Sequence, residues 1–90
     1  MTTQAHAVGH VFFNDIHAGA QCERGWWHVR RGDINRETAA VGRVRADHTR
    51  GEEGGMDDAR RAVATLVAWP ASRIALDRCE DFGGYTWRLL

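Results

Sequence analysis

The sequence has 90 residues, of which 43% are hydrophobic and 27% are charged, and its formal net charge is zero. This length predicts a single domain spanning residues 1–90, with a small core and no room for a deep substrate cavity. No apolar run approaches the roughly 20 residues of a transmembrane helix, and no secretory signal opens the chain, so we expect a cytoplasmic protein without membrane contacts.

All twelve basic residues are arginine, and twelve acidic residues balance them. This balance argues against a nonspecific nucleic-acid binder, whose affinity comes mainly from neutralising phosphates, so direct nucleic-acid binding is not expected. A GC-rich coding bias explains the absence of lysine. The functional alternative is an arginine-rich contact surface, since guanidinium groups suit planar, bidentate recognition.

Two strands are predicted in the first third of the chain. Ala7–Phe13 is rich in β-branched and aromatic residues and ends at the turn signal Asn14-Asp15. The pattern of residues 16–24 fits two structures, a loop or a short strand from Ile16 to Ala20. The second strand alternates between two faces, one with Trp27, Val29 and Arg31 and the other with Trp26, His28 and Arg30.

The third predicted strand, Glu37–Asp47, has one face of small residues. These are Ala40, Gly42, Val44 and Ala46, and they lie opposite Val41, Arg43 and Arg45. A helix over the small face would approach the sheet closely. An alanine-rich helix suits that position, and the chain offers one next.

The segment Met56–Trp69 predicts that helix, because its apolar residues recur at the spacing of one helical face. Two carboxylates in the first turn, Asp57 and Asp58, suit the helix dipole, and we expect both on the solvated back of the helix. Pro70 ends the helix by removing a backbone donor.

Two closing strands, Arg73–Cys79 and Tyr85–Leu90, flank a glycine-containing hairpin turn. The element order β-β-β-α-β-β predicts an α+β fold. In this fold a mostly antiparallel sheet of about five strands carries one helix on one face. The other sheet face is left open, and we place Arg30, Arg43, Arg45 and one tryptophan there.

No constellation in the sequence predicts an enzyme or a bound cofactor. Five histidines and Cys22 provide metal ligands. His6 and His10 have the H-x₃-H interval of a zinc site, but that interval brings two histidines together on a helix and this stretch is predicted to be a strand, so no metal is expected. His10 and His28 could meet across a strand pair. Cys22 and Cys79 are expected to be free thiols. No local signature of a catalytic serine or cysteine surrounds any candidate nucleophile.

Three segments together resemble small phage-encoded anti-CRISPR proteins that act on type I systems. The segments are the Val41–Ala46 strand core, the alanine-rich helix from Ala59 to Trp69 and the strand after Ser72. The resemblance covers about half the chain, and one type I-F inhibitor is similarly built. It implies a protein of the bacterial host cytoplasm that stoichiometrically binds the CRISPR surveillance complex or its helicase-nuclease. Such binding blocks DNA binding or nuclease recruitment.

An inhibitor of this kind needs a charged patch complementary to its target, and the sequence offers two. The acidic patch, which we favour because the targets have basic channels, comprises Glu52, Glu53, Asp57 and Asp58. The arginine face comprises Arg30, Arg43 and Arg45. Two alternatives stay open: a nucleic-acid-binding or regulatory module that uses the Arg/Trp sheet face, and a homodimer paired through an edge strand.

Overall fold

The computed structural model describes residues 7–18, 21–33, 37–47, 55–79 and 84–90. For residues 14–18 and 21–24 it describes the backbone only. It contains five strands, one α-helix and one turn of 3₁₀ helix. The strands are β1 (Val8–Ala18), β2 (Gln21–Arg31), β3 (Ala39–Arg45), β4 (Ile74–Arg78) and β5 (Tyr85–Leu89). The helix α1 spans Met56–Val67, and the 3₁₀ turn spans Ala71–Arg73.

The five strands form one antiparallel sheet in the order β3-β2-β1-β5-β4. Strand β1 is central, and β3 and β4 form the two edges. Because β3 leads into α1 and α1 leads into β4, the helix carries the chain from one edge of the sheet to the other. The predicted α+β class, with one helix on an antiparallel sheet, is confirmed.

Strands β1 and β2 form a longer hairpin than the sequence predicted. The predicted turn at Asn14-Asp15 is wrong, because pairing continues past it to Ala18 opposite Gln21. The register shifts between Asn14 and Ile16, where Asp15 lies opposite two residues of β2, Arg24 and Gly25, so the extra residue of the β-bulge is in β2. The open segment 16–24 is therefore strand at Ile16–Ala18 and from Gln21 onward.

The core lies between α1 and one face of the sheet. Trp27 and Val29 are buried there, so Trp27 is the core member of the Trp26/Trp27 pair; Val11 on β1 is fully enclosed, and Trp87 on β5 is 1% exposed. The helix contributes small residues to this interface, chiefly Ala59, Ala62 and Val63. Burying a large apolar side chain stabilises a fold by about 1.5–3 kcal/mol, so these few residues carry most of the hydrophobic stabilisation.

Glycines let elements approach closely at two positions of this face. A Cβ on Gly42 would lie 3.2 Å from Leu66 Cδ2 on α1, so the close approach expected at this glycine is confirmed. A Cβ on Gly9 would overlap both the Arg30 carbonyl and the Trp87 ring. The Trp87 indole passes over Gly9, and its Nε1 donates a hydrogen bond to the Arg30 oxygen, 3.1 Å away.

The expected small face of β3 is wrong at Ala40. The register shifts between Val29 and Arg30, so that Ala40 pairs with Arg30 and Val41 packs against the core.

The helix differs from its prediction at the C-terminus. It ends at Val67 because Ala68 adopts a left-handed conformation, with φ 56°, and its N–H bonds to the Ala64 carbonyl. Trp69 therefore lies beyond the helix, partly buried against the core. In the part of the chain that the structure describes, no helix has both the length and the apolar character needed to cross a membrane.

Candidate binding surface

Across the described residues, the sheet face opposite α1 has no helix packed on it. Strand alternation and register bring to this face a set of aromatic and basic side chains from β1, β2 and β3. We call this set the open face: His10, Phe12, Trp26, His28, Arg30, Arg43 and Arg45. The predicted alternation of β2 is thus confirmed, and the structure adds that the face with Trp27 and Val29 is the buried one.

Trp26 lies beside two arginines of the edge strand β3, and we call these three residues the Arg–Trp cluster. The Arg43 guanidinium carbon is 4.3 Å from the Trp26 ring centroid, and that of Arg45 is 4.8 Å away. Both distances are within the range of a cation–π interaction. Register explains the geometry, because Arg45 pairs directly with Trp26, and Arg43 pairs with the next open-face residue of β2, His28.

A second feature, the aromatic column, runs beside the Arg–Trp cluster and consists of His10, Phe12 and His28. The Phe12 ring stacks on His28, with centroids 5.0 Å apart and planes 11° apart. It also stacks on His10, with centroids 5.3 Å apart and planes 28° apart. Phe12 and His28 are half-buried, whereas His10 is buried. The column thus offers a partly accessible aromatic surface on the two central strands of the face.

The charge state of His28 follows from this packing. Burial lowers the pKa of the imidazole below its usual value of 6.5, and the nearby positive charge of Arg43 lowers it further. Near neutral pH the ring is therefore uncharged. A neutral imidazole stacked on a phenyl ring extends the aromatic surface and adds no positive charge to the cluster.

Arg30 plays a different part from Arg43 and Arg45, although the sequence grouped all three. Its Nε donates a hydrogen bond to Thr38 Oγ1 at 2.7 Å, and its Nη2 donates one to the Thr38 carbonyl at 2.9 Å. Thr38 immediately precedes β3. Arg30 therefore fastens the entry of the edge strand, while the Arg–Trp cluster occupies the middle and end of that strand.

The acidic residues do not form the single exposed patch that the sequence suggested. Asp57 is exposed, and its carboxylate lies 3.5 Å from Arg60. Asp58 is only 2% exposed, so its expected place on the solvated back of the helix is wrong. Glu52 and Glu53 lie outside the described residues. Within the described chain, the acidic patch is reduced to Asp57.

Asp58 is buried because it accepts hydrogen bonds from three parts of the protein, an arrangement we call the Asp58 tether. Oδ2 accepts from Trp27 Nε1 at 2.8 Å and from the Asp47 amide at 2.8 Å. Oδ1 accepts from Arg61 Nε at 2.6 Å. Arg61 in turn donates through Nη2 to the Arg45 carbonyl, 2.8 Å away. The tether therefore joins the start of α1 to the end of β3, where Arg45 projects onto the open face.

Two opposing effects set the pKa of Asp58. Burial alone would raise it, but the hydrogen bonds from Arg61, Asp47 and Trp27, together with the charge of Arg61, bring the pKa below its usual value of 3.8. The carboxylate is consequently ionised throughout the neutral range. A buried charge held by three donors is a structural element of the fold, and its oxygens are already engaged inside the protein.

Metal-site candidates find no support in the described part of the chain, where no group of three His, Cys, Asp or Glu side chains is arranged to hold an ion. His6 lies outside the described residues. The Phe12 ring stacks against both His10 and His28, which lie on the neighbouring strands β1 and β2. Cys79 is a free thiol, as expected.

Sequence reasoning missed two features of this region, the place of Phe12 on the open face and the burial of Asp58. Alternation along β1 was a usable signal for Phe12, because Val11 faces the core and its neighbour must then face away. Helical spacing was a usable signal for Asp58, which lies four residues before the buried Ala62 and beside Ala59. The hydrogen-bond donors that stabilise the buried carboxylate come from distant segments, and no local pattern encodes them.

Comparisons of the chain with protein-family models, with curated proteins and with solved structures found no match. The functional argument therefore depends on the residues of this chain and on the geometry of its open face.

Proposed function

We propose that this protein is a non-enzymatic binding protein that acts by occupying a surface of a macromolecular partner through its open face. The observation that supports this most strongly is the Arg–Trp cluster, in which Arg43 and Arg45 both lie within 5 Å of the Trp26 ring centroid. Tryptophan and arginine are the residue types most enriched among binding hot spots.

The cluster is suited to binding because its side chains are held in place before a partner arrives. Immobilising a flexible side chain on binding costs about 0.5–1.5 kcal/mol, and a cation–π contact to Trp26 offsets part of that cost in advance. The Asp58 tether holds the carbonyl of Arg45 and so fixes the strand end that carries one of the two guanidinium groups. A pre-ordered surface of this kind favours stoichiometric binding.

The resemblance to type I anti-CRISPR proteins gives this proposal a specific form. In that form the partner is the CRISPR surveillance complex or its helicase-nuclease in the bacterial host cytoplasm, and binding blocks DNA binding or nuclease recruitment. The segment Val41–Ala46, on which the resemblance depends, overlaps β3 and contains both arginines of the cluster. The open face supports this role better than the acidic patch, because Asp58 is committed to internal hydrogen bonds.

Binding of the purified protein to a purified type I surveillance complex tests the proposal. The double variant R43A/R45A removes both guanidinium groups and is expected to lose binding and inhibition of target-DNA capture. The matched control is R78A, because Arg78 is also an exposed arginine of an edge strand. It pairs with Tyr85, whose side chain is in the core beneath α1, so Arg78 lies on the sheet face opposite the open face. Equal binding by R43A/R45A and wild type would remove the open face from the proposal, and no binding by wild type would exclude this target.

A further inference from the structure

We propose that the open face binds single-stranded nucleic acid directly, with the Arg–Trp cluster contacting phosphates and the aromatic column stacking on bases. This inference rests on the proposed function, because it assigns a ligand chemistry to the same surface. It goes beyond the expectation from overall composition, which argued against direct binding of nucleic acid.

The first argument is the surplus of positive charge in the Arg–Trp cluster. Elsewhere in the described chain, Arg60 and Arg61 lie against the carboxylates of Asp57 and Asp58. Among the same described residues, no carboxylate lies within ion-pair distance of Arg43 or Arg45. Guanidinium groups bind phosphate oxygens in a planar, bidentate geometry, so two neighbouring groups match the anionic backbone of a nucleic acid.

The second argument is the aromatic column. Phe12 and His28 stack at 5.0 Å on neighbouring central strands and are both half-buried, so each residue keeps part of its surface exposed on the open face. Bases of single-stranded nucleic acids stack on such rings, and every base has a π face that can do so. A duplex keeps its bases stacked on one another, and for this reason the column selects single strands.

The third argument is the relative placement of the two features. His28 pairs with Phe12 on one side and with Arg43 on the other, so the three residues lie side by side across β1, β2 and β3. Neighbouring strands are about 4.8 Å apart, which places a cation and a stacking ring within the reach of one or two nucleotides. Sheets that recognise RNA use this combination, with aromatic residues on the strands and basic residues around them.

Zero net charge describes the whole chain, whereas a ligand meets the charges of one surface. Asp58 is enclosed within the protein, and Asp57 lies on α1, on the other side of the sheet from the open face. The ligand therefore meets the local arginine pair. With about two phosphate contacts, the logarithm of the binding constant should fall with the logarithm of salt concentration with a slope of about −1.4 for a single strand.

An acidic protein surface is the other ligand class that two arginines accommodate, but it leaves the aromatic column unexplained. Carboxylates require cations and gain little from a stacked Phe12–His28 pair. Nucleic acid uses both features of the open face. The two ligand classes therefore predict different effects of a change at Phe12.

Fluorescence anisotropy with labelled oligo(dT) and oligo(U) of about 15 nucleotides, a length that covers one small binding site, tests the inference. We expect wild type to bind both, and affinity to fall about sevenfold between about 50 and 200 mM salt. Phe12→Leu retains bulk without a π face, and we expect about tenfold weaker binding with an unchanged salt slope. R43A/R45A should lose affinity and most of the salt slope, whereas R78A should bind like wild type. Circular dichroism establishes that each variant is folded.

Several outcomes would overturn the inference. These are no oligonucleotide binding at low salt, equal losses in R78A and R43A/R45A, and unchanged affinity in Phe12→Leu. Binding of polyglutamate as tightly as oligonucleotide, without dependence on Phe12, would assign the face to acidic proteins. This test can fail without affecting the proposed function. If wild type binds the purified complex, R43A/R45A does not, and neither protein binds oligonucleotide, only the nucleic-acid inference is refuted.

Discussion

Replacing Asp58 by asparagine should destabilise the protein far more than the same change one residue earlier. In Asp58→Asn, the amide oxygen can still accept from Trp27 and the Asp47 amide, but the NH₂ group takes the place of the oxygen that faces Arg61 Nε at 2.6 Å. A hydrogen bond to a charged group contributes about 1.5–3 kcal/mol, and two donors now face each other, so we expect a loss of about 2–3 kcal/mol. Asp57→Asn alters a carboxylate that is 85% exposed, and solvent screening limits its loss to about 0.5 kcal/mol or less.

These losses are measurable, because a domain of 90 residues has a total free energy of unfolding of about 5–13 kcal/mol. Each kcal/mol lowers the Tm of a domain this size by about 4–8 °C, so Asp58→Asn should unfold about 8–24 °C below wild type. Tryptophan fluorescence during thermal and urea denaturation is a suitable assay, since Trp27 itself bonds to Asp58. The difference between the two proteins should narrow as the pH falls below about 4, because the unfolded chain then takes up a proton at Asp58 before the folded protein does, and the contribution is lost as the pH falls through the lowered pKa of folded Asp58.

A double-mutant cycle identifies the cause of the loss. If the Asp58–Arg61 bond is responsible, Arg61→Ala should be destabilising by a similar amount, and the double variant should lose much less than the sum of the two. A loss for Asp58→Asn no larger than that for Asp57→Asn would refute the tether. Additive losses in the double variant would refute the specific pairing with Arg61.

Three further results are expected. Gly9→Ala should reduce the free energy of unfolding by about 1–3 kcal/mol in urea denaturation, because its methyl group displaces the Trp87 ring; wild-type stability would contradict the close approach. Wild type should lose stability as the pH falls from about 7.5 to 5.5, because His28 takes up a proton near pH 6.5 in the unfolded chain but has a lowered pKa in the folded protein. His28→Phe should reduce this loss, and an unchanged dependence of the unfolding free energy on pH would contradict the packing of His28. R43K/R45K should restore only part of the partner binding lost in R43A/R45A, because lysine retains the charge without the planar group; full restoration in a binding titration would contradict the geometry of the Arg–Trp cluster.

Local sequence patterns predicted the element order and most of the two sheet faces. Trp27 and Val29 face the core and Trp26 and His28 face away, because a strand has a period of two and only one face can be covered by the single helix. The small face of β3 also had a local signature, since Gly42 and the alanine-rich helix complement each other in size. These features follow from periodicity and volume, which are properties of neighbouring residues.

The features that the sequence did not reveal arise from contacts between distant segments. The bulge opposite Asp15 is sustained by pairing of β1 with β2, which overrides a strong local turn signal. Asp58 looks like a solvated helix residue until Trp27 and Asp47 supply donors from 31 and 11 residues away. The strand order, with β1 at the centre, likewise depends on how β5 returns to the sheet.

A titration of ¹⁵N-labelled protein with a single-stranded oligonucleotide, followed by ¹H–¹⁵N correlation NMR, tests the role of the open face most directly. The indole signals provide internal controls, because Trp26 lies on the open face while Trp27 and Trp87 are enclosed in the core. The open-face account predicts shifts at the Trp26 indole and at the amides of His28, Arg43 and Arg45, with little change at Trp27, Trp87 or α1. Shifts centred on Asp57 and α1, or no shifts at any concentration, would contradict the binding of single strands by the open face, while leaving its binding to a protein complex to be tested separately.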